Sequence, residues 1–327
     1  MTSRYELLPK VDVLIAVRNE QNYIKDCLNS IYNGNYPREK LNIYIIDGCS
    51  SDDTVEIVKK YKQDYKNIFL LHNNNKTVPY AINSGIKASS QEIIFWATGH
   101  GQYDPDYILK CVSELIKTNA ASVGGLVIPQ GCGFWGKVIA ASLKSPLGMG
   151  FASYRRGTES MWVDTVMGGC WRRTDVEKIG GFNEQWTRNQ DSEFNIRLKD
   201  KIGGILLIPT IKCRLFVRES LISLIKQYFQ YGYWRCKTVI THPGSIKIRQ
   251  ILPTLFVISL IFSIIIDVKL FYLLVFVYFI ASIVAVCASK EKIGWTSKLS
   301  MLIVFPLIHL SWGCGFIHGF LSHILKR

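Results

Sequence analysis

Carboxylates are scarce in this sequence. Against 39 Lys and Arg stand 25 Asp and Glu in 327 residues, a net charge of +14. Over residues 212–249 the shortage is sharpest, with eight basic residues and Glu219 as the one acid. A basic block just before apolar runs reads as a surface held against anionic lipid head groups. Nucleic acid is the competing partner, but no recognition motif accompanies the charge, so no nucleic acid is expected. The nine cysteines include no C-x-x-C pair and no metal-ligand spacing. They read as reduced, mostly buried thiols of a protein facing the cytosol. Residues 1–10 lack an apolar core, so no signal peptide is expected. With 48% hydrophobic and 20% charged residues, disorder is excluded, and the length suits about two domains.

What is present begins with three apolar runs near the C-terminus. Residues 251–266 are short for a span, and residues 270–289 have about the roughly 20 residues a bilayer needs. Residues 299–321 are long enough but contain Pro306, His309, Gly313, Gly315, His318 and Gly319. The first two runs, separated by Asp267-Val268-Lys269, predict a helical hairpin. Lys290, Glu291, Lys292 and Lys298 then put the next loop in the cytoplasm. The third run spans or re-enters. With three spans, Lys326-Arg327 would lie outside, against the usual charge bias, so two or three transmembrane helices are expected.

The first two-thirds alternate strand and helix patterns. Residues 11–17 are apolar apart from Asp12, as in a buried parallel strand. Ile24, Cys27, Leu28 and Ile31 then fall at helical spacing. Further strands are predicted at 41–46, 68–71, 92–97 and 122–128, with helices between them. This predicts a mostly parallel sheet with helices on both faces. Ligands of such sheets sit beyond the carboxyl ends of the strands, where Arg18-Asn19-Glu20, Asp47 and Thr98-Gly99-His100 fall. The stretch from Asp164 to Arg235 follows: a glycine turn (Gly168-Gly169-Cys170-Trp171), then Gly180-Gly181-Phe182, then Asp191 at a helix start, then a basic aromatic segment. A carboxylate in that setting suggests a base working on a lipid-borne substrate. Simpler readings stand beside it. Asp191 suits a helix N-cap, Asp47-Gly48 a turn, and Glu20 a first-turn charge. His100 suits a loop, Gly168-Gly169 an ordinary turn, and Trp171 the core.

Several motifs in order resemble family 2 glycosyltransferases. The opening Val13-Leu14-Ile15-Ala16-Val17-Arg18-Asn19-Glu20 and the later Ile45-Ile46-Asp47-Gly48-Cys49-Ser50-Ser51-Asp52 carry the resemblance. Val123-Gly124-Gly125, Gly180-Gly181-Phe182, Asn189 to Leu198, and Gln227-Tyr228-Phe229 with Trp234-Arg235 look like one subgroup, the succinoglycan-type membrane enzymes of bacterial exopolysaccharide synthesis. The resemblance implies a GT-A fold, a nucleotide-diphosphate sugar donor, a divalent metal (Mg²⁺ or Mn²⁺) and inversion at the anomeric carbon. By match of position, Glu20 and Asp47 line the nucleotide pocket with Arg18, Thr98, Gly99 and His100, and Asp191 is the general base. Gly168, Gly169, Trp171, Gln227, Trp234 and Arg235 are expected to face the acceptor. The chain departs from the pattern at two places. Thr98-Gly99-His100 replaces the metal-binding Asp-x-Asp or Asp-x-His, leaving His100 as the one direct metal ligand, and Gln190 replaces the Glu before the base. Mg²⁺ and Mn²⁺ prefer oxygen ligands, so weak metal binding is expected.

These readings divide the chain into a catalytic part (1–215), an interfacial amphipathic region (216–248) and a membrane part (249–327). The expected activity is transfer of one sugar to a polyprenyl-linked glycan at the cytoplasmic face of the cell inner membrane, by a multi-pass protein. A polyprenyl-phosphate sugar synthase and a non-catalytic scaffold are the alternatives. Sugar, nucleotide and oligomeric state are not legible.

Overall fold

A computed structural model describes residues 7–149 and 159–325. Residues 1–6 of the leading stretch and the Lys326-Arg327 pair lie outside the described residues. The chain divides into two compact units, Met1–Ile128 with Ser153–Leu215, and Pro129–Ala152 with Phe216–Arg327. In chain order the elements are β1 (Val11–Val17), α1 (Ile24–Tyr32), β2 (Leu41–Asp47), α2 (Thr54–Asp64), β3 (Ile68–His72), α3 (Val78–Ala88), β4 (Ile93–Thr98), β5 (Gly101–Tyr103), α4 (Tyr107–Lys117) and β6 (Ser122–Gln130). There follow α5 (Gly133–Lys144), α6 (Pro146–Met149), β7 (Met161–Val163), β8 (Gly169–Arg172), α7 (Arg173–Lys178), α8 (Gln190–Lys201) and β9 (Ile205–Phe216). The last helices are α9 (Leu221–Thr241), α10 (Ile248–Ile266), α11 (Val268–Cys287) and α12 (Trp295–Ile324).

The sheet of the first unit runs β3-β2-β1-β4-β8-β6-β9-β5, with β7 on β9. β1 to β4 are mutually parallel, as the alternation of strand and helix requires. β8 then pairs antiparallel with β4 and β6, and β9 antiparallel with β5 and β7. The residues read as a glycine turn therefore open a strand in mid-sheet. β1 is buried on both faces: Val13, Ile15 and Val17 pack into one core with α1 and α4, and Leu14 into the other. The nine residues of α1 are too few to be stable alone. Burial of Ile24, Cys27, Leu28 and Ile31 holds it, at about 1.5–3 kcal/mol for each large aliphatic side chain.

Asp12, the one polar residue of β1, is fully buried. Its carboxylate accepts from the Arg173 guanidinium at 3.0 Å, the Gln91 N–H at 2.6 Å and the Asn42 amide at 3.1 Å. Arg173 also donates to the Gln91 and Ile86 carbonyls and the Ser89 hydroxyl. The charge is thus paired and fully bonded, the condition for burying it.

The second unit joins α5 and α6 to α9–α12 around Val138, Ile139, Leu224, Tyr228, Met301, Val304, Phe305 and Ile308. Three of its helices, α10, α11 and α12, are long and apolar enough to cross a membrane.

Candidate active site

β2, β1 and β4 lie side by side with their carboxyl ends level: Val17 pairs with Asp47, and Ala16 with Thr98. That register brings Arg18, Asp47 and Thr98 to one edge. The two loops leaving β1 and β2 are then cross-braced. Asn19 sits in the left-handed region at φ 57°; its N–H donates to the Ser50 hydroxyl, and its side-chain oxygen accepts from the Ser51 N–H at 2.8 Å. The Glu20 N–H donates to the Thr54 hydroxyl, the Gln21 N–H to Asp52, and the Asp53 N–H to the Gln21 side chain. Burial pushes the Asp52 carboxyl up, but hydrogen bonds from Thr54 and the Gln21 N–H outweigh it and hold the group below its usual value. Asn19, Gln21, Asp52 and Thr54 had no role assigned from the sequence. The signal was there in two loops rich in side chains that bond backbone.

Asp47 is 2% exposed, and both its carboxylate oxygens accept from the Ser50 N–H, at 3.2 and 3.1 Å. It shapes the turn that presents Gly48 and Ser50. His100 Nδ1 lies 2.9 Å from Glu20 Oε1. The carboxylate can only accept, so Nδ1 carries a proton, and Glu20 fixes the ring orientation. Gly99 packs against both neighbours: a Cβ there would meet Val17 at 2.9 Å and Glu20 at 3.3 Å. Among the described residues no three His, Cys, Asp or Glu converge on one point. The donors at this edge are the His100 imidazole, the Glu20 carboxylate bonded to it and the buried Asp47 carboxylate bonded to the Ser50 N–H, a divided set that does not fit an octahedral, oxygen-seeking divalent ion.

Asp191 stands in the first turn of α8, while the cap position is held by Asn189 in the left-handed region at φ 54°. The bland reading of Asp191 as the cap is therefore not realised, and its carboxylate sits at the positive end of the helix dipole. The same turn and the one after it clamp α8 in place. Glu193, 2% exposed, takes a bidentate pair from Arg197 at 2.6 and 2.8 Å. Arg197 donates in turn to the Ile179 and Gly181 carbonyls, each at 2.8 Å. Buried Asn195 donates to the Thr165 hydroxyl and the Val166 carbonyl, and Asn83 of α3 bonds both the Phe182 N–H and its carbonyl. A ring cluster ties the same helix to β4: Phe194 stacks on Phe182 at 4.1 Å and meets Trp171 at 5.0 Å, and Phe182 meets Trp96 at 5.3 Å.

Trp171 is the centre of that cluster and 0% exposed. It is core and offers no face to an acceptor, which corrects its expected acceptor role. Gly168, at φ 70°, passes so close to β4 that a Cβ would lie 2.5 Å from the Trp96 carbonyl. Gly169, at φ 135°, would meet the Ser122 hydroxyl at 2.8 Å. Glycine is required at both positions by backbone shape and space alone. Gln227, Trp234 and Arg235 belong to α9 in the second unit. Gln227 donates to the Tyr231 hydroxyl at 3.0 Å, Lys237 lies over the Trp234 ring, and Arg235, 4% exposed, donates to the Ser245 carbonyl.

Residues 12–180 match the model of glycosyl transferase family 2. The chain belongs to that family. This glycosyltransferase is 25% identical over 324 residues, 97% of each chain, to the dolichyl N-acetyl-alpha-D-glucosaminyl phosphate 3-beta-D-2,3-diacetamido-2,3-dideoxy-beta-D-glucuronosyltransferase of Methanococcus voltae. It is 26% identical over 245 residues to the succinoglycan biosynthesis protein ExoA of Rhizobium meliloti, covering 74% of this chain and 73% of that one. Among solved structures it resembles a mannosyltransferase of Pyrobaculum calidifontis in complex with GDP-Man and Mn²⁺, at TM-score 0.61 and 15% identity over 98% of this chain and 91% of that one. That likeness extends across the sheet and the helices after it and establishes the GT-A-like fold.

Proposed function

We propose that this glycosyltransferase moves a sugar from a nucleotide-diphosphate donor to a lipid-linked glycan, with inversion, and that Asp191 is the general base. The observation that carries the acceptor class is the end-to-end similarity to the Methanococcus enzyme, whose name specifies a dolichyl-linked phosphosugar. In bacteria the corresponding carrier is a polyprenyl lipid of the inner membrane, with residues 1–215 catalytic on the cytoplasmic side, 216–248 at the interface and 249–327 forming the membrane part. The donor lies along the edge formed by Arg18, Glu20, Asp47, Thr98, Gly99 and His100, and the acceptor approaches past Gly168 and Gly169. Asp191 takes the acceptor hydroxyl proton as that oxygen attacks the anomeric carbon, and the bond to the nucleoside diphosphate breaks on the opposite side. A hydroxyl is a poor nucleophile until its proton is taken, which gives a placed carboxylate its leverage. Positive charge beside the leaving diphosphate comes from Arg18. A divalent ion is the family's usual agent there, but the donor set at Thr98-Gly99-His100 does not fit one, and no step is routed through it.

The test is incorporation of labelled sugar from a panel of nucleotide sugars into membrane lipid extracts, with Mg²⁺, with Mn²⁺ and with chelator. Asp191→Asn is expected to lose about 10²–10⁴-fold in transfer while donor binding is kept. Undiminished transfer would overturn the assignment and fit instead a phosphate acceptor, already ionised, which needs no base. Donor binding without turnover in the wild type would favour a scaffold.

A further inference from the structure

The packing of the second unit bears on how many times the chain crosses its membrane. α10 and α11 form an antiparallel hairpin: the rings of Phe256 and Tyr278 stack at 4.7 Å, each about halfway along its helix. The ends at Ile248 and Cys287 are therefore level, and the turn at Asp267 is the far end. At 1.5 Å per residue, each arm reaches about 28–30 Å, the hydrocarbon thickness of a bilayer.

α12 does not run along this hairpin. A span that entered at Lys298 would carry Gly313 about 22 Å deep, beside the distal end of α10. Gly313 instead abuts Pro253 and Val257, where a Cβ would lie 2.6 Å from each, about 8–14 Å into α10 from Ile248. Trp312 Nε1 donates to the Gln250 carbonyl at 3.0 Å, in the first turn of α10. His309, four residues before Gly313, bonds Tyr278 at 2.7 Å, about 13 Å into α11. Across these contacts α12 gains no depth.

Beyond them α12 lies on α9. A Cβ at Gly319 would meet the Tyr233 carbonyl at 2.8 Å, and Gly315 abuts the Phe229 carbonyl. α9 exposes Lys226 and Gln230 together with Ile222 and Phe229, a mixture that suits the head-group boundary and not the hydrocarbon centre. A helix half sharing its depth with α9 shares that boundary. The His309 ring of α12 is met within the unit: the Leu147 carbonyl can only accept, so Nε2 donates to it at 2.9 Å, and Nδ1 accepts from the Tyr278 hydroxyl.

We infer that the chain crosses the membrane twice, through α10 and α11, and that α12 lies in the plane of one interface, packed on α9 as a helical layer against the lipid head groups. The basic residues of 212–249, Lys290, Lys292 and Lys298 then all fall on one side, as the charge bias requires.

Cysteine labelling from each side of sealed vesicles tests this without reference to the reaction. Cys49, Cys132, Cys287 and Cys314, the exposed cysteines, are first replaced by alanine. Single cysteines are then placed by Ile222→Cys, Asp267→Cys, Lys290→Cys and Leu325→Cys, and exposed to a membrane-impermeant maleimide. The expected result is labelling of positions 222, 290 and 325 from one side and of 267 from the other. Labelling of 325 from the side of 267, or from neither side, overturns the inference, as does labelling of 267 from the side of 290. Folding of each variant is checked by monodispersity in detergent, and a second substitution at the adjacent position replaces any that fails.

Discussion

Asp191 owes its place to side chains that never meet a substrate. Glu193, in the same first turn of α8, and Arg197, a turn beyond it, form a bidentate pair buried on the carboxylate side. The guanidinium also closes on two carbonyls of the Ile179–Gly181 turn. A planar fork does this and an ammonium does not. Arg197→Lys is therefore expected to lower stability and also to lower kcat for the folded fraction, with the KM for donor little changed. Arg197→Ala, which strands Glu193, is expected to cost about 3–5 kcal/mol. Denaturant melts together with the kcat-against-KM split check this; a purely structural role would leave kcat of the folded fraction intact. The buried thiols take no part: burial pushes the Cys213 thiol up to about 12, so it stays protonated and unreactive at neutral pH.

α9 and α12 meet through glycine. Gly232 faces the Trp312 carbonyl, Gly315 the Phe229 carbonyl and Gly319 the Tyr233 carbonyl, so backbones touch where side chains would hold them apart. Small residues let two helix backbones approach this closely, so that packing of backbone on backbone holds the pair. Gly315→Leu is expected to separate the pair and to lower the melting temperature in detergent, read by size-exclusion thermostability. Gly244→Ala, where nothing lies within 4 Å, is expected to leave it unchanged. The loop elements follow a different rule. The β1–α1 and β2–α2 loops are bound by reciprocal side-chain bonds, Asn19 with Ser50 and Ser51, and Gln21 with Asp52 and Asp53. This edge of the sheet is thus braced by its own side chains.

At the scale of the whole molecule, charge and apolarity are segregated along the chain, with eight basic residues in 212–249, the last in the first turn of α10. Stability in nanodiscs is expected to rise when anionic lipid replaces neutral lipid, by about 1 kcal/mol per engaged Lys or Arg, and to fall back in high salt, measured by thermal melts. Much of this organisation was legible in advance: the four parallel strands, the buried face of α1, the hairpin, and the family from its ordered motifs. Other parts were not. Gly168-Gly169-Cys170-Trp171 carries turn residues, and no local period announces that β8 pairs antiparallel between β4 and β6. Nor does any pattern in 133–149 tell that α5 and α6 pack with helices a hundred residues away. Trp171 reads equally as sugar platform or core until its ring neighbours are known. Asp12, too, looked like a blemish in an apolar run. A strand buried on both faces has almost no side-to-side contrast, and sliding it by one position would exchange one set of Val and Ile for another at little cost. With Asp12 in place, that slip would drive a lone carboxylate away from Arg173 and into hydrocarbon. The pair therefore acts as a key for threading: it makes one alignment of the central strand acceptable and every neighbouring alignment prohibitive.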